Sequence, residues 1–260
     1  IKSKKNSVTK GTLSTYNQTL SAIKEYQKYL KEKQKKETLE FEDIDMDFRE
    51  EYKRFLEKDK KFAPSTISKH FKKLKVILNR AYDDGISENQ KHKTKGFNVK
   101  EEPGTEIYLT EDEINSMLNK DLSYNKKYEL ARDIFLIGYY TGQRTSDFCK
   151  FSNKDIVTLK GDKYIKIIQQ KNRSDKKYVH CPITIEIKQI MKRYNNDFPP
   201  KMSPVYINKY IKDVGRICGI KQEIKIEYTK GGKPVTEFKP KYKMIGTHTA
   251  RRSFVTNLYI

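Results

Sequence analysis

Five side chains in the second half of the chain have the types and spacing to do chemistry on a phosphate. Arg144 and Asp147 stand three apart in "TGQRTSD", at the expected start of a short helix. They share a helical face there, and the carboxylate can fix the guanidinium or a neighbouring histidine. His248 and Arg251 repeat the spacing in "GTHTARRSF", again at a helix start, where free backbone amides and the positive dipole end favour an anion. Two planar forks of donors brought together by folding would grip both non-bridging oxygens of one phosphodiester. Lys171, at the expected tip between two strands in "QQKNRSDKK", could reach into such a pocket and protonate an alkoxide leaving group. Taken singly, each residue has an ordinary reading: a salt-bridge arginine, a capping or core histidine, a turn lysine. Their joint order on one basic chain is what sets them apart. Arg252 adjoins Arg251, but one helical position turns it about 100° away, so packing or a DNA-backbone contact is its expected role.

The rest of the composition says what surrounds these groups. In 260 residues there are 55 Lys and Arg against 34 Asp and Glu, a formal charge of +21. That excess predicts an extended polyanionic partner, with double-stranded DNA ahead of an acidic membrane and a basic ribosomal protein as the plain alternative. Only 35% of the residues are hydrophobic, yet 18 Tyr and 12 Phe are too many for a disordered chain. No apolar run approaches the roughly 18 to 20 residues of a spanning helix, and nothing near Ile1 resembles a signal peptide. A soluble, cytoplasmic protein is expected. Cys149, Cys181 and Cys218 are widely spaced and form neither a disulfide framework nor a metal pattern, so they are expected to be structural and no metal site is expected. The chain opens without Met in a Lys- and Ser-rich stretch, which fits a fragment of something longer.

Helices are expected to carry most of the chain. Leu13, Tyr16, Leu20, Ile23, Tyr26 and Leu30 recur at steps of three and four, predicting one long amphipathic helix over 12–35. A second helix is expected over 45–58, with Phe48, Tyr52 and Phe55 inward. A third opens at "APSTISKHF" with Ser65 as cap, Ile67, Phe71, Leu74, Leu78 and Ala81 inward, and Gly85 as its stop. Lys69, Lys72, Lys73 and Lys75 crowd its polar side and could lie along a phosphate backbone, although a lysine run is ordinarily a solvated face.

From 91 to 106 the pattern breaks into polar, Gly- and Pro-bearing sequence, and 96–106 is expected to link a helical domain, 1–95, to a second domain, 107–260. In the second domain, "TEDEI" is a capping box of Thr110 and Glu113, and "YELARDIFLIGYYTG" is apolar almost all round, predicting a buried helix that stops at Gly142. A meander of two or three short strands should follow from Asp155. Helices are expected over 184–196 and 207–218, then a hairpin turning at Gly231 and Gly232. A last helix from Thr247 should turn Phe254, Val255 and Leu258 inward. The fold class is mainly α with a small antiparallel meander and a hairpin.

"YYTGQRTSDFCKF", "QQK" ahead of a strand ending "CPI", and "HTARRSFVTN" together resemble the catalytic domain of the tyrosine recombinases, the phage integrase family. The preceding helical region resembles that family's core-binding domain, which clamps DNA from the opposite side. In style, "HTARRSF" in a Lys- and Ile-rich chain is similar to integrases of Bacteroidetes mobile elements. The resemblance implies a site-specific recombinase working through a 3'-phosphotyrosyl link, without metal or other cofactor. Arg144 and Arg251 would hold the phosphate, Lys171 would protonate the leaving 5'-oxygen, His248 would hydrogen-bond the phosphate or assist proton movement, and Asp147 would support them from behind. It also implies a homo-tetramer on paired DNA sites, monomeric without DNA, in the bacterial cytoplasm at the nucleoid. The family's nucleophilic tyrosine comes some tens of residues beyond its His-x-x-Arg element, so the nucleophile is expected beyond Ile260. Tyr259, only eight positions past Arg251, falls too early for that part. As written, the chain is expected to bind DNA and assemble most of a pocket without completing cleavage. A relaxing topoisomerase with related pocket chemistry and a non-catalytic DNA-binding accessory protein are the alternatives.

Overall fold

Capping chemistry and a dense aromatic core build the first half of the chain. The computed structural model describes residues 8–34, 36–102, 104–169 and 177–260. They divide into two compact units, one of 1–104 with 227–237, the other of 105–226 with 238–260. Helix α1 (Lys10–Glu32) starts where the Thr9 side chain accepts from the Thr12 amide, and α2 (Met46–Arg54) starts where Asp45 accepts from the amides of Asp47 and Phe48. A π-helical turn, Phe55–Asp59, follows α2. The third helix, α3 (Pro64–Asp83), departs from expectation: Ala63, not Ser65, is the cap residue, and Pro64 supplies the first turn. Proline suits that position because its φ is already helical and its missing N–H would be unpaired there anyway.

On α1 the buried stripe runs through Tyr16, Thr19, Ala22, Tyr26 and Leu30, leaving Leu20 exposed, contrary to the expected face. The hydroxyl of the buried Thr19 is satisfied by the Thr15 carbonyl at 3.1 Å. Rings then fill the centre: Tyr26 lies 5.1 Å from Tyr52 and Phe71 lies 5.9 Å from Phe97. Phe97 is wholly buried, so the polar stretch after residue 91 does not simply leave the first unit. A short 3-10 turn, Lys91–Lys93, and the Ser68 hydroxyl bonded to the Val99 carbonyl at 2.9 Å bring that ring into the core. One aromatic anchor outweighs the loop-like composition around it.

In the second unit α4 (Glu111–Asn119) carries the expected capping box of Thr110 and Glu113, and the buried Lys241 ammonium sits on both Glu113 oxygens at 2.9 and 2.7 Å. Helix α5 (Lys126–Thr141) is buried along most of its length and forms the centre of this unit. The completely buried Asp133 carboxylate on α5 accepts from Arg132, Arg193 and Tyr194 at 2.8, 2.7 and 2.9 Å, so the charge in this core is paired. After the single-turn α6 (Thr145–Phe148) comes an antiparallel meander, β1 (Ile156–Leu159), β2 (Asp162–Ile168) and β3 (Tyr178–Pro182). Its register pairs Ile156 with Ile165, and Ile165 with Cys181.

Helix α7 (Ile185–Lys192) stops short of the expected end, and the chain leaves it through Asn195 and Asn196 at positive φ, a conformation asparagine tolerates better than most residues. Helix α8 (Pro204–Ile217) and the hairpin of β4 (Glu223–Lys230) and β5 (Lys233–Pro240) follow. Gly231 and Gly232 have φ of 59° and 77°, as a two-residue primed turn requires.

Helix α9 (Thr247–Tyr259) packs differently from its apolar pattern. Val255 and Leu258 are 42% and 70% exposed, and the buried residues are Thr247, Thr249, Ala250 and Ser253. Hydrogen bonds decide the face. The Ser253 hydroxyl accepts from the Leu109 amide at 2.8 Å and donates to the Thr249 carbonyl at 2.7 Å, while the Asn257 amide donates to the Leu109 carbonyl and the Tyr139 hydroxyl, both at 3.1 Å.

Candidate active site

The site forms where α5 ends. Gly142 closes that helix in the left-handed conformation, φ 61°, which glycine adopts without strain. This turn reverses the chain so that Arg144 becomes the cap residue of α6. The Gly142 carbonyl accepts from Arg251 Nη1 at 2.7 Å, which draws the half-buried guanidinium of α9 to the turn that carries Arg144. On the other side Arg144 Nη1 donates to Gln169 Oε1 at 3.3 Å. Gln169 Nε2 donates to Gln143 Oε1 at 2.8 Å, and Gln143 Nε2 to the Thr141 carbonyl at 3.1 Å.

Charge singles out these two arginines. Arg49, Arg54, Arg80, Arg132, Arg193 and Arg252 each pair with a carboxylate. Among the described residues Arg144 and Arg251 pair with none, and the exposed Arg216 on α8 is the other such arginine. Arg144 and Arg251 are half-buried and held only by neutral oxygens. Two partly desolvated cations without counter-charge make a site that gains from binding an anion.

His248 is exposed in the first turn of α9, one turn before Arg251 and on the same side. Two amides of that turn are taken, Thr247 N–H by Asn208 Oδ1 at 2.7 Å and Thr249 N–H by the Gly246 carbonyl at 2.8 Å. Side chains, together with the His248 amide, are what this helix end can offer an anion. Asp147 is buried on α6 and lines a cavity of about 380 Å³ together with Ser146, Lys150, Lys166 and Tyr178. Lys171 lies outside the described residues. Arg252 takes the packing role: it donates to the Ile107 carbonyl at 3.0 Å and pairs with Glu106 at 2.7 Å. Tyr259 is 84% exposed on the last turn of α9.

In the first unit Lys69 and Lys72 are exposed on α3, and Lys73 and Lys75 are half-buried. Lys72 pairs with Glu101 at 2.5 Å, and Lys73 sits 4.9 Å over the Tyr16 ring. A cleft of about 510 Å³ runs between α1 and α3, lined by Thr12, Thr15, Gln18, Thr66, Lys69 and Lys72 among others. Hydroxyls, an amide and cations in one cleft suit a phosphate backbone. The cysteines are free, and burial pushes the Cys149 thiol up to about 11 and raises those of Cys181 and Cys218, which leaves all three as poor nucleophiles. What the sequence reading missed is the pair of glutamines and the Gly142 carbonyl. Gln169 lay in the quoted "QQK", but an uncharged amide gives no signal of its own.

Two half-buried arginines from separate helices, with no carboxylate partner among the described residues, form a site suited to an anion. Residues 1–97 match the phage integrase SAM-like domain, and residues 108–260 match the phage integrase family. The chain belongs to the phage integrase family and is a site-specific DNA recombinase, a strand-transferring enzyme.

Solved structures give the same fold. XerH site-specific recombinase bound to a palindromic difH substrate is 18% identical, with a TM-score of 0.62 over 95% of this chain and 68% of that one. A lambda integrase dimer bound to a COC' core site is 14% identical, with a TM-score of 0.62 over 96% and 80%. The Tn1549 transposon integrase in complex with transposon right-end DNA is 17% identical, with a TM-score of 0.63 over 99% and 83%. A sequence comparison with curated proteins returns no match.

Proposed function

We propose that this chain supplies the DNA clamp and most of the catalytic pocket of an integrase that cuts and rejoins duplex DNA through a 3'-phosphotyrosyl intermediate, on behalf of a mobile element. The observation that carries the reading is the pair Arg144 and Arg251, joined through the Gly142 turn and without a carboxylate partner among the described residues. In the proposed reaction a tyrosine hydroxyl beyond residue 260 gives up its proton to solvent and bonds to the scissile phosphorus as the bond to the 5'-oxygen breaks, and Lys171 gives the departing 5'-oxygen a proton. Arg144 and Arg251 hold the two non-bridging oxygens, whose charge grows as the reaction proceeds. His248, exposed beside Arg251, hydrogen-bonds the same phosphate, and the buried Asp147 supports the Arg144 turn. One phosphodiester is exchanged for another, so the bond energy is conserved and no cofactor is called for.

The first 95 residues, with the Lys69–Lys75 face of α3, would grip the duplex. The lambda integrase tetramer bound to a Holliday junction supports a homo-tetramer on paired sites; the proposed place of action is the bacterial nucleoid. The test is a version of the protein extended through the nucleophilic tyrosine and incubated with a nicked suicide substrate. A covalent protein–DNA adduct that disappears with Arg144→Ala is expected. Duplex binding without an adduct from any extended version would make the chain an accessory DNA-binding protein instead.

A further inference from the structure

We infer that Gln169 is a positioning residue for Arg144: its neutral amide orients the guanidinium toward the phosphate without neutralising it. This rests on the phosphate-binding reading of Arg144 given above. Gln169 follows the last residue of β2 and stands two residues ahead of Lys171 in the sequence, so it belongs to the segment that leads to the proposed leaving-group acid. Its side chain is the single partner that the Arg144 guanidinium has among the described residues.

The direction of the hydrogen-bond chain is fixed at both ends. A guanidinium only donates and a main-chain carbonyl only accepts. Gln169 must therefore turn Oε1 to Arg144 and Nε2 to Gln143, and Gln143 must turn Nε2 to the Thr141 carbonyl. Neither amide can flip without setting two donors or two acceptors against each other. Gln143 is itself buried, so the chain is anchored in the last turn of α5, the same turn that ends at Gly142 and receives Arg251. Gln169 thus ties the proposed phosphate ligand to a rigid part of the unit.

A carboxylate in this place would orient the guanidinium equally well. It would also form an ion pair with it and compete with the phosphate. An amide orients and leaves the positive charge for the substrate.

Two variants of the tyrosine-bearing version separate this from a packing role. Gln169→Leu keeps the size and removes the hydrogen bonds, while Gln169→Glu keeps the shape and the acceptor but adds a charge. Both should melt within a few degrees of the parent and bind duplex DNA within about twofold. Single-turnover cleavage of the suicide substrate should fall about tenfold for Gln169→Leu, the worth of one hydrogen bond to a charged group, and further for Gln169→Glu. If Gln169 only packs, the Glu variant will cleave as well as or better than the Leu variant, and the inference fails. It fails also if Gln169→Leu cleaves like the parent, or if cleavage, melting and DNA affinity all drop together. A parent protein that makes no adduct removes the recombinase reading and this inference with it, whereas a parent that cleaves with indifferent Gln169 variants removes this inference alone.

Discussion

The Arg251 guanidinium donates to the Gly142 carbonyl at 2.7 Å, across 109 residues of sequence. This bond joins the first turns of α9 to the turn between α5 and α6, and it is the contact that makes one site out of two distant motifs. Gly142 can present its carbonyl this way because it sits at φ 61° with the Phe254 ring packed where a Cβ would be.

Gly142→Ala should therefore harm both stability and the site. The added methyl meets the Phe254 ring, and the left-handed backbone resists a side chain, together costing on the order of 1–3 kcal/mol. A melting temperature several degrees lower, with weakened DNA cleavage, is expected. An alanine variant that melts and cleaves like the parent would show that this turn is not what sets Arg251.

Arg251 and Arg252 adjoin in sequence but should behave oppositely. Arg251→Ala removes one proposed phosphate fork and should lower cleavage on the order of 10²–10³-fold while the protein stays folded. Arg252→Ala loses the bonds to the Ile107 carbonyl and Glu106, so its effect should appear in melting, with cleavage by the folded fraction little changed. Equal loss of cleavage from the two variants would contradict the division of roles.

Duplex binding should weaken steeply with salt, because neutralised phosphates release counterions. For about 6 to 10 phosphate contacts the loss is on the order of 10³ to 10⁵ between 50 and 200 mM salt. Lys69→Ala should reduce the salt slope by about one contact. Lys72→Ala should do less, since Lys72 is already paired with Glu101. Titrations at several salt concentrations measure both slopes, and a salt-insensitive affinity would overturn the clamp.

Stability of the first unit should fall in mild acid. Burial holds the imidazole of His70 below its usual range, and burial with the charges of Lys93 and Lys75 does the same for His92. Both rings are neutral in the folded protein. The unfolded chain takes up protons near pH 6.5, so this stabilisation is complete above that value and is lost as pH drops toward the lowered folded pKa values. Melting followed from about pH 7 to about pH 5 should show the decline, and His70→Phe, which can keep the stack on Phe62, should make it shallower. An unchanged slope in that variant would remove His70 as a cause.

Much of this was legible in the residues. The capping box of Thr110 and Glu113, the buried helix ending at Gly142 and the Gly231–Gly232 turn each follow from local chemistry that acts within a few residues. Arg144 and Arg251 were singled out by their joint order on a basic chain and by the resemblance to the tyrosine recombinases, not by spacing alone. The inward face of α9 was misread, because Val255 and Leu258 carry more apolar signal than Ser253 and Asn257, yet the latter two bond to Leu109. Phe97 was hidden in the same way by the polar residues around it.

The sequence by itself determined which elements form, where they stop and which cations are available, since propensity, capping and turn preferences are short-range. Only the tertiary structure decided which of those cations find a carboxylate among the described residues. Arg252 finds Glu106 and Arg132 finds Asp133, while Arg144 and Arg251 meet the neutral oxygens of Gln169 and Gly142. A residue's partner depends on contacts between segments far apart in the chain, and no local pattern records them.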